Sequence, residues 1–309
     1  MISFVNISSS RQEYNPLFVR PGIWASRVDI MLALTLWTMA AIAAAMVVVV
    51  LLTLWNGAHP VIESAGISAL VTHREWHPTE REYGLLPMIA GTFAVSLGAL
   101  AVAVPMATMC ALMLCYYLSP RVAGIFRCLL QLLAGIPSVV YGLWGLSVVV
   151  PFIAGIGGNG ACLLAGGIIL AVMILPTIAV IVETAMRQLP PSLYQGALAL
   201  GAPRYRAMFQ VVMPAIGGKL VAASILGLAR AIGETMAVLM VSGNAITMPD
   251  GPLASIRTLS ANIAIEMAYA MELHRSALFA SGLVLMVIVL GMLLIVDLLE
   301  GKGGSHAQS

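Results

Sequence analysis

In the run Gly227-Leu228-Ala229-Arg230-Ala231-Ile232-Gly233-Glu234-Thr235, one guanidinium and one carboxylate stand four residues apart in an otherwise apolar stretch. On a helix that spacing puts both on one face, where they partly neutralise each other. Arg keeps its charge and offers a planar fork that matches carboxylate, sulfate or phosphate oxygens. Glu234 would orient Arg230 or accept a proton from a partly protonated oxyanion, with Thr235 next to it. An ionised side chain at the centre of a bilayer costs about 2.5–3.5 kcal/mol on insertion scales. Two readings of the pair are open. Either it lines a polar pathway in which Arg230 meets an anion, or it is a structural ion pair between packed helices. Intramembrane ionisable groups usually face a cavity or pathway, which favours the first. Gly227, Ala229, Ala231, Gly233 and Ala237 around the pair allow close helix approach.

Other chemistry is missing from the sequence. There is no Gly-rich Lys-Ser/Thr loop for nucleotide, no His/Glu metal box in an apolar run, and no Ser/His pair at one depth. The expectation is no enzyme, no metal and no cofactor on this chain. Cys110, Cys115, Cys128 and Cys162 lie in or beside apolar runs without metal-ligand or disulfide spacing, and read as small buried hydrophobes. His73 and His77 would suit a metal if helical, but Pro78 and the mixed charges around them read as a solvated lid or loop. A net charge of +2 is too small to argue for nucleic acid.

The elements that must position Arg230 follow from composition. Of 309 residues, 61% are hydrophobic and 9% charged, against about 25% charged in soluble domains. A span needs about 20 apolar residues, and six stretches qualify: Ile30 to Leu54, Leu85 to Leu118, Leu129 to Val150, Cys162 to Val182, Leu220 to Val241 and Ala277 to Val296. The fold class is therefore an all-α integral membrane protein with six transmembrane helices. Residues 1–29 form a polar segment that is no secretory signal, 30–297 the membrane domain and 298–309 a tail. With the amino terminus inside, the inner segments carry Arg11, Arg20, Arg27, Arg121, Arg127, Arg187, Arg204, Arg206, Lys219 and Lys302. The outer ones carry Arg74, Arg81, Arg257 and Arg275. Ten against four supports both ends inside. Pro105, Gly135 with Pro137, and Pro176 interrupt the second, third and fourth spans and are hinge candidates. Asp250-Gly251-Pro252 is a turn signal, after which Leu253 to Leu273 reads as a helix along the membrane face.

One inner segment, 183–219, is more than a connection. It opens with Arg187 and Pro190-Pro191, Ser192 can cap a short helix and Gly201 can end it. Leu193, Ala197 and Leu200 fall on one helical face. Gln195-Gly196-Ala197, three residues, Gly201, nine residues, then Val211-Val212-Met213-Pro214 resembles the coupling motif of ABC importer permeases, Glu-Ala-Ala, three, Gly, nine, Ile, any, Leu-Pro. The spacing matches in full, with Gln195 in place of Glu and Gly196 in place of Ala. The run Ala134 to Leu146, the run Gly227 to Val238, Tyr83-Gly84-Leu85-Leu86-Pro87 and Leu273-His274-Arg275-Ser276-Ala277-Leu278 resemble the C-type permease family of phosphate importers (PstC). Together they cover roughly residues 80 to 297.

The resemblance implies a type I ABC importer permease (MetI-like) fold in a bacterial inner membrane. It implies a second permease of the A type, two ATPase subunits holding ATP and Mg at the inner face, and a periplasmic phosphate-binding protein at the outer face. Arg230 and Glu234 would be the translocation pair for phosphate. Gln195 to Gly201 would be the coupling helix seated in an ATPase groove. Other readings are a permease for sulfate or molybdate, which the Arg chemistry alone permits, and a non-transporting scaffold or sensor, which needs neither the charge pair nor the coupling segment. A secondary transporter should show inverted repeats, and residues 30–150 and 162–296 show no such similarity.

Overall fold

The computed structural model describes residues 23–303. The segments 1–22 and 304–309, and with them most of the expected amino-terminal segment and tail, lie outside the described residues. The chain falls into two compact units that divide between Leu52 and Thr53. The first holds the amino-terminal part of helix α1 (Ile23–Ala65), whose side chains from Val28 to Val50 are exposed. An apolar helix surface of that kind suits acyl chains as its solvent.

The second unit is helical apart from a small hairpin, β1 (Trp76–His77) paired antiparallel with β2 (Glu82–Tyr83). The hairpin follows α2 (Ile67–Thr72). His73 caps α2 and His77 lies on β1, so the two are not on one helix turn. Helices α3 (Leu86–Leu112), α4 (Pro120–Gly135), α5 (Ser138–Trp144), α6 (Val150–Ala154) and α7 (Leu163–Gln188) come next. Then follow α8 (Pro191–Ala199), α9 (Arg204–Arg206) and α10 (Met213–Ala215), and α11 (Gly217–Gly233), α12 (Met236–Val241), α13 (Leu259–Glu266) and α14 (Glu272–Gly303) complete the described residues.

Among the described residues, four helices are long and apolar enough to cross a membrane: Arg27–Ala65, Leu86–Tyr117, Leu163–Gln188 and Glu272–Leu298. Two bent pairs, Pro120–Gly135 with Ser138–Ala154 at 92° and Arg204–Ala215 with Gly217–Gly233 at 72°, bring the number to six. The core forms where α3 meets α7. Gly91, Val95, Ala99, Ala103, Ala107 and Ala111 recur every four residues on α3 and are buried. Leu170, Ile174, Ile178 and Val182 form the matching buried ridge on α7. Small residues let two backbones approach where no hydrophobic effect drives helices together, so van der Waals contact does the work.

The third span is interrupted at the expected place, because Pro137 cannot continue α4 and the chain turns there. Other expectations are corrected. The fifth span does not run unbroken from Leu220 to Val241; α11 stops at Gly233, and α12 starts at Met236, with Glu234 and Thr235 between them. Pro105 and Pro176, by contrast, lie inside unbroken helices, since a single lost N–H bond is tolerated when the rest of the turn is packed. The expected helix from Leu253 to Leu273 shrinks to α13. Its start is fixed at Thr258, whose hydroxyl accepts from Ala261 N–H. Ser192 is not the cap of α8; Pro190 holds that position and Pro191 begins the helix, where its missing N–H costs nothing. The carboxyl-terminal helix continues past 298 to Gly303.

The two interrupted spans pack against each other. A Cβ built on Gly142 of α5 would lie 3.0 Å from Ala237 Cα and 2.7 Å from Met240 Sδ of α12. Substitution Gly142→Val is therefore expected to overpack this contact and cost about 1–3 kcal/mol. Thermal unfolding of the purified protein checks it, and an unchanged midpoint contradicts the close approach.

Candidate functional site

The break in the fifth span places Arg230 and Glu234 differently from an intact helix. Arg230 lies in the last turn of α11, where a cation is favoured by the carbonyl end of the helix. Glu234 is the residue after that helix, with an extended backbone (φ −72°, ψ 126°). Its carboxylate Oε1 accepts from Ala237 N–H at 3.2 Å and so caps the start of α12. Its carbonyl accepts from Ser260 Oγ at 3.0 Å. Thr235, half-buried, turns its hydroxyl to Gly233 O at 3.3 Å. The expected i, i+4 ion pair is therefore not formed. Arg230 is exposed on this chain and makes no ion pair among the described residues.

The break in the third span lies beside it. Pro137 deprives the Leu133 carbonyl of its helical N–H partner, and Tyr141 Oη donates to that carbonyl at 2.7 Å. Tyr141 is also within electrostatic reach of Arg230. Gly135 and Pro137 thus lie at a true bend. On the other side, a Cβ on Gly227, one turn before Arg230, would lie 2.7 Å from Ile178 Cδ1, so α11 is pressed onto α7 there. The arrangement holds one guanidinium, with an unused fork of donors, next to two helix interruptions whose own polar groups are already satisfied. A fork of that kind is complementary in charge and shape to an oxyanion.

Helix α8 carries Gln195, Gly196 and Ala197. It ends in a Schellman motif: Ala202 N–H donates to Ala197 O at 3.1 Å and Gly201 N–H to Leu198 O at 3.0 Å, with Gly201 at φ +85°. That left-handed position is where glycine is favoured. No residue of α8 is buried, and Leu200 beyond it is 91% exposed. Tyr194, Ala197 and Leu198 are half-buried, and the rest of this short helix is exposed on its own chain. Tyr194 stacks on Tyr116 with centroids 4.5 Å apart, which orients it. Pro214 lies in α10, just before the 72° bend into α11.

Sequence reasoning missed Glu183 as a functional residue. Its carboxylate, only 4% exposed, receives Arg127 Nη2 at 2.6 Å from α4 and Arg187 Nε at 2.8 Å from its own helix. A cavity of about 310 Å³ lies beside it, between Cys115, Arg187 and Tyr194. The signal was in the chain: Glu183 and Arg187 stand at i, i+4. Glu75, His77 and Glu82 converge at the hairpin, all exposed. A hydrogen bond with Glu75 raises the Glu82 carboxyl above its ordinary range, helped by burial and by the repulsion of Glu75.

A mostly helical membrane protein with paired helix breaks around one guanidinium and a short, largely exposed helix has the form of a transport permease. Residues 103–302 match the family of binding-protein-dependent transport system inner membrane components, and the chain belongs to that family. It is similar to the probable ABC transporter permease protein YqgH of Bacillus subtilis (strain 168), 39% identical over 245 residues that cover 77% of this chain and 79% of the relative. It is likewise similar to the phosphate transport system permease protein PstC 1 of Mycobacterium tuberculosis (strain ATCC 25618 / H37Rv), 40% identical over 247 residues, 72% of this chain and 73% of that one. A bacterial alginate ABC transporter, solved in complex with an alginate pentasaccharide-bound periplasmic protein, shares the fold. It superposes with a TM-score of 0.60 at 17% identity, over 87% of this chain and 94% of that one. The fold is that of type I ABC importer permeases.

Replacing Glu183 by Ala leaves Arg127 and Arg187 facing each other. Both arginines are partly exposed, so the expected loss is below that of a fully buried pair, on the order of 1–2 kcal/mol. Thermal unfolding of the purified protein measures it, and no loss contradicts the anchoring role.

Proposed function

We propose that this chain is the permease subunit of an ATP-driven importer of inorganic phosphate. The observation that carries the reading is Arg230, an unpaired guanidinium at the break of an apolar helix. Phosphate is an oxyanion whose oxygens match the guanidinium fork, and relatives at about 40% identity bear the name of phosphate permeases. The reading includes a second permease of similar fold, so that two such surfaces enclose one pathway. It includes two ATPase subunits at the inner face that carry ATP and Mg, because this chain has no nucleotide loop of its own. The unburied α8, with Gln195, Gly196 and Ala197, is the contact through which ATP closure moves the spans. A phosphate-binding protein delivers the anion at the outer face. The chain itself is non-catalytic and binds no cofactor. It resides in the bacterial inner membrane with both termini in the cytoplasm, a topology favoured by the ten inner against four outer basic residues.

Glu234 has a positional task in this reading: it caps α12 and keeps a carboxylate away from the guanidinium. The anion therefore meets Arg230 without competition from an internal counter-ion. Gly135 and Pro137 at the neighbouring bend are the hinge positions.

Arg230→Ala is expected to abolish phosphate uptake in cells without other phosphate carriers while the complex still assembles, and Arg230→Lys to retain part of it. Normal uptake by Arg230→Ala would rule out the role. Competition by sulfate or molybdate as strong as by phosphate itself would reassign the cargo.

A further inference from the structure

On the outer side of the break at Glu234 lies a second buried polar network, which the anion pathway does not use. Glu266, the last residue of α13, is 5% exposed. Its Oε1 accepts from Arg257 Nη1 at 2.6 Å, its Oε2 accepts from Trp76 Nε1 at 2.9 Å, and His274 Nε2 lies 2.8 Å from the same Oε2. These three partners come from three places: the loop before α13, strand β1 and the first turn of α14. Trp76 is also packed edge-on between Tyr83 and His274, with centroids 5.8 Å and 6.0 Å away. The inner side of the hairpin is thereby bolted to Glu266. Its outer side, His77, Glu80, Arg81 and Glu82, is polar and exposed.

The network continues inward. Arg257 Nε donates to Asn244 O at 2.9 Å, and Asn244 Nδ2 donates to Leu239 O at 2.8 Å, which closes the last turn of α12. Ile256 N–H donates to Ser242 O at 2.9 Å. At the other end of α13, the Ser260 hydroxyl holds the Glu234 carbonyl at 3.0 Å. Helix α12 is therefore gripped at both ends by the segment 256–266. Six residues separate Ser260 from Glu266, about 9 Å along a helix.

We propose that α12 and α13 form one rigid element that links the outer hairpin to the break beside Arg230, with Glu266 as its positioning residue. A soluble, substrate-delivering protein that presses on the charged outside of the hairpin shifts Trp76. Glu266 passes that shift to α13, and Ser260 passes it to the Glu234 carbonyl. The link rests on the functional reading above for its input. Its rigidity does not, because it follows from the hydrogen bonds alone. Coupling of this kind requires an element that both sites bias, and the clasp around α12 supplies one.

The test uses the whole complex in proteoliposomes, with ATP hydrolysis measured with and without phosphate-loaded binding protein. Ser260→Ala and Glu266→Gln are each expected to keep basal hydrolysis and to lose stimulation on the order of fivefold. The double variant is expected to lose no more than either single one, because both cut the same link. Should Glu266→Gln not assemble, Trp76→Phe, which removes one of its donors, replaces it in the comparison. Unchanged stimulation, losses that multiply in the double variant, or a parallel loss of basal hydrolysis would overturn the link. Amide exchange in α12, followed on the same complex without any substrate, is expected to quicken in Glu266→Gln. Unchanged exchange overturns the rigid element whatever the cargo proves to be. A wild-type complex that moves no phosphate overturns the functional reading instead.

Discussion

A polar group at lipid depth must find its partner inside the protein, and the two helix breaks are organised around that constraint. At the third span, Pro137 cannot give the Leu133 carbonyl its i+4 N–H, and Ile136 N–H and the Tyr141 hydroxyl donate to it instead. At the fifth, the end of α11 leaves the Glu234 carbonyl outside any helix, and Ser260 takes it. The Glu234 carboxylate turns to the first amides of α12. Each break is thus closed by side chains from its own surroundings. What remains is Arg230, a cation whose hydrogen-bond donors are left open. An anionic cargo is complementary to that surplus, and a cation is not.

The same economy holds elsewhere. Glu183, before α8, and Glu266, at the end of α13, are buried carboxylates, each held by arginine. A buried carboxylate is stable only when its partners are well placed, so each fixes several segments at once. Glu183 joins α4 and α7 just before the unburied α8. Glu266 joins the hairpin, the loop before α13, and α14.

Much of this was legible in the chain. Six apolar runs of span length, the clustering of arginines and the lone charges in the fifth run follow from composition, and the six-span, type I permease fold agrees with them. Gly201 as a helix terminator was readable because only glycine takes φ +85° at no steric cost. The state of Arg230 was not readable. An i, i+4 spacing implies a shared helix face only if the helix is continuous, and the Gly233-Glu234 interruption depends on Ser260, 26 residues further on. Prolines misled in the other direction: Pro105 and Pro176 look like breaks, yet packing holds their helices intact. Glu266 and Arg257 were invisible as a pair, because Leu253 to Leu273 reads as one helix along the membrane face until Trp76 and His274 are brought against Glu266. The anchoring role of Glu183 was half visible, through Arg187 but not through Arg127, which lies 56 positions away.

The central claim is that the guanidinium of Arg230 faces an aqueous conduit. The most direct measurement is labelling of Arg230→Cys by a charged, membrane-impermeant thiol reagent, in a complex whose Cys110, Cys115, Cys128 and Cys162 have been replaced. The account predicts modification from the aqueous phase at a rate that depends on ATP and slows in phosphate. Resistance to the charged reagent from both sides, with ready modification by a lipid-soluble one, would contradict it.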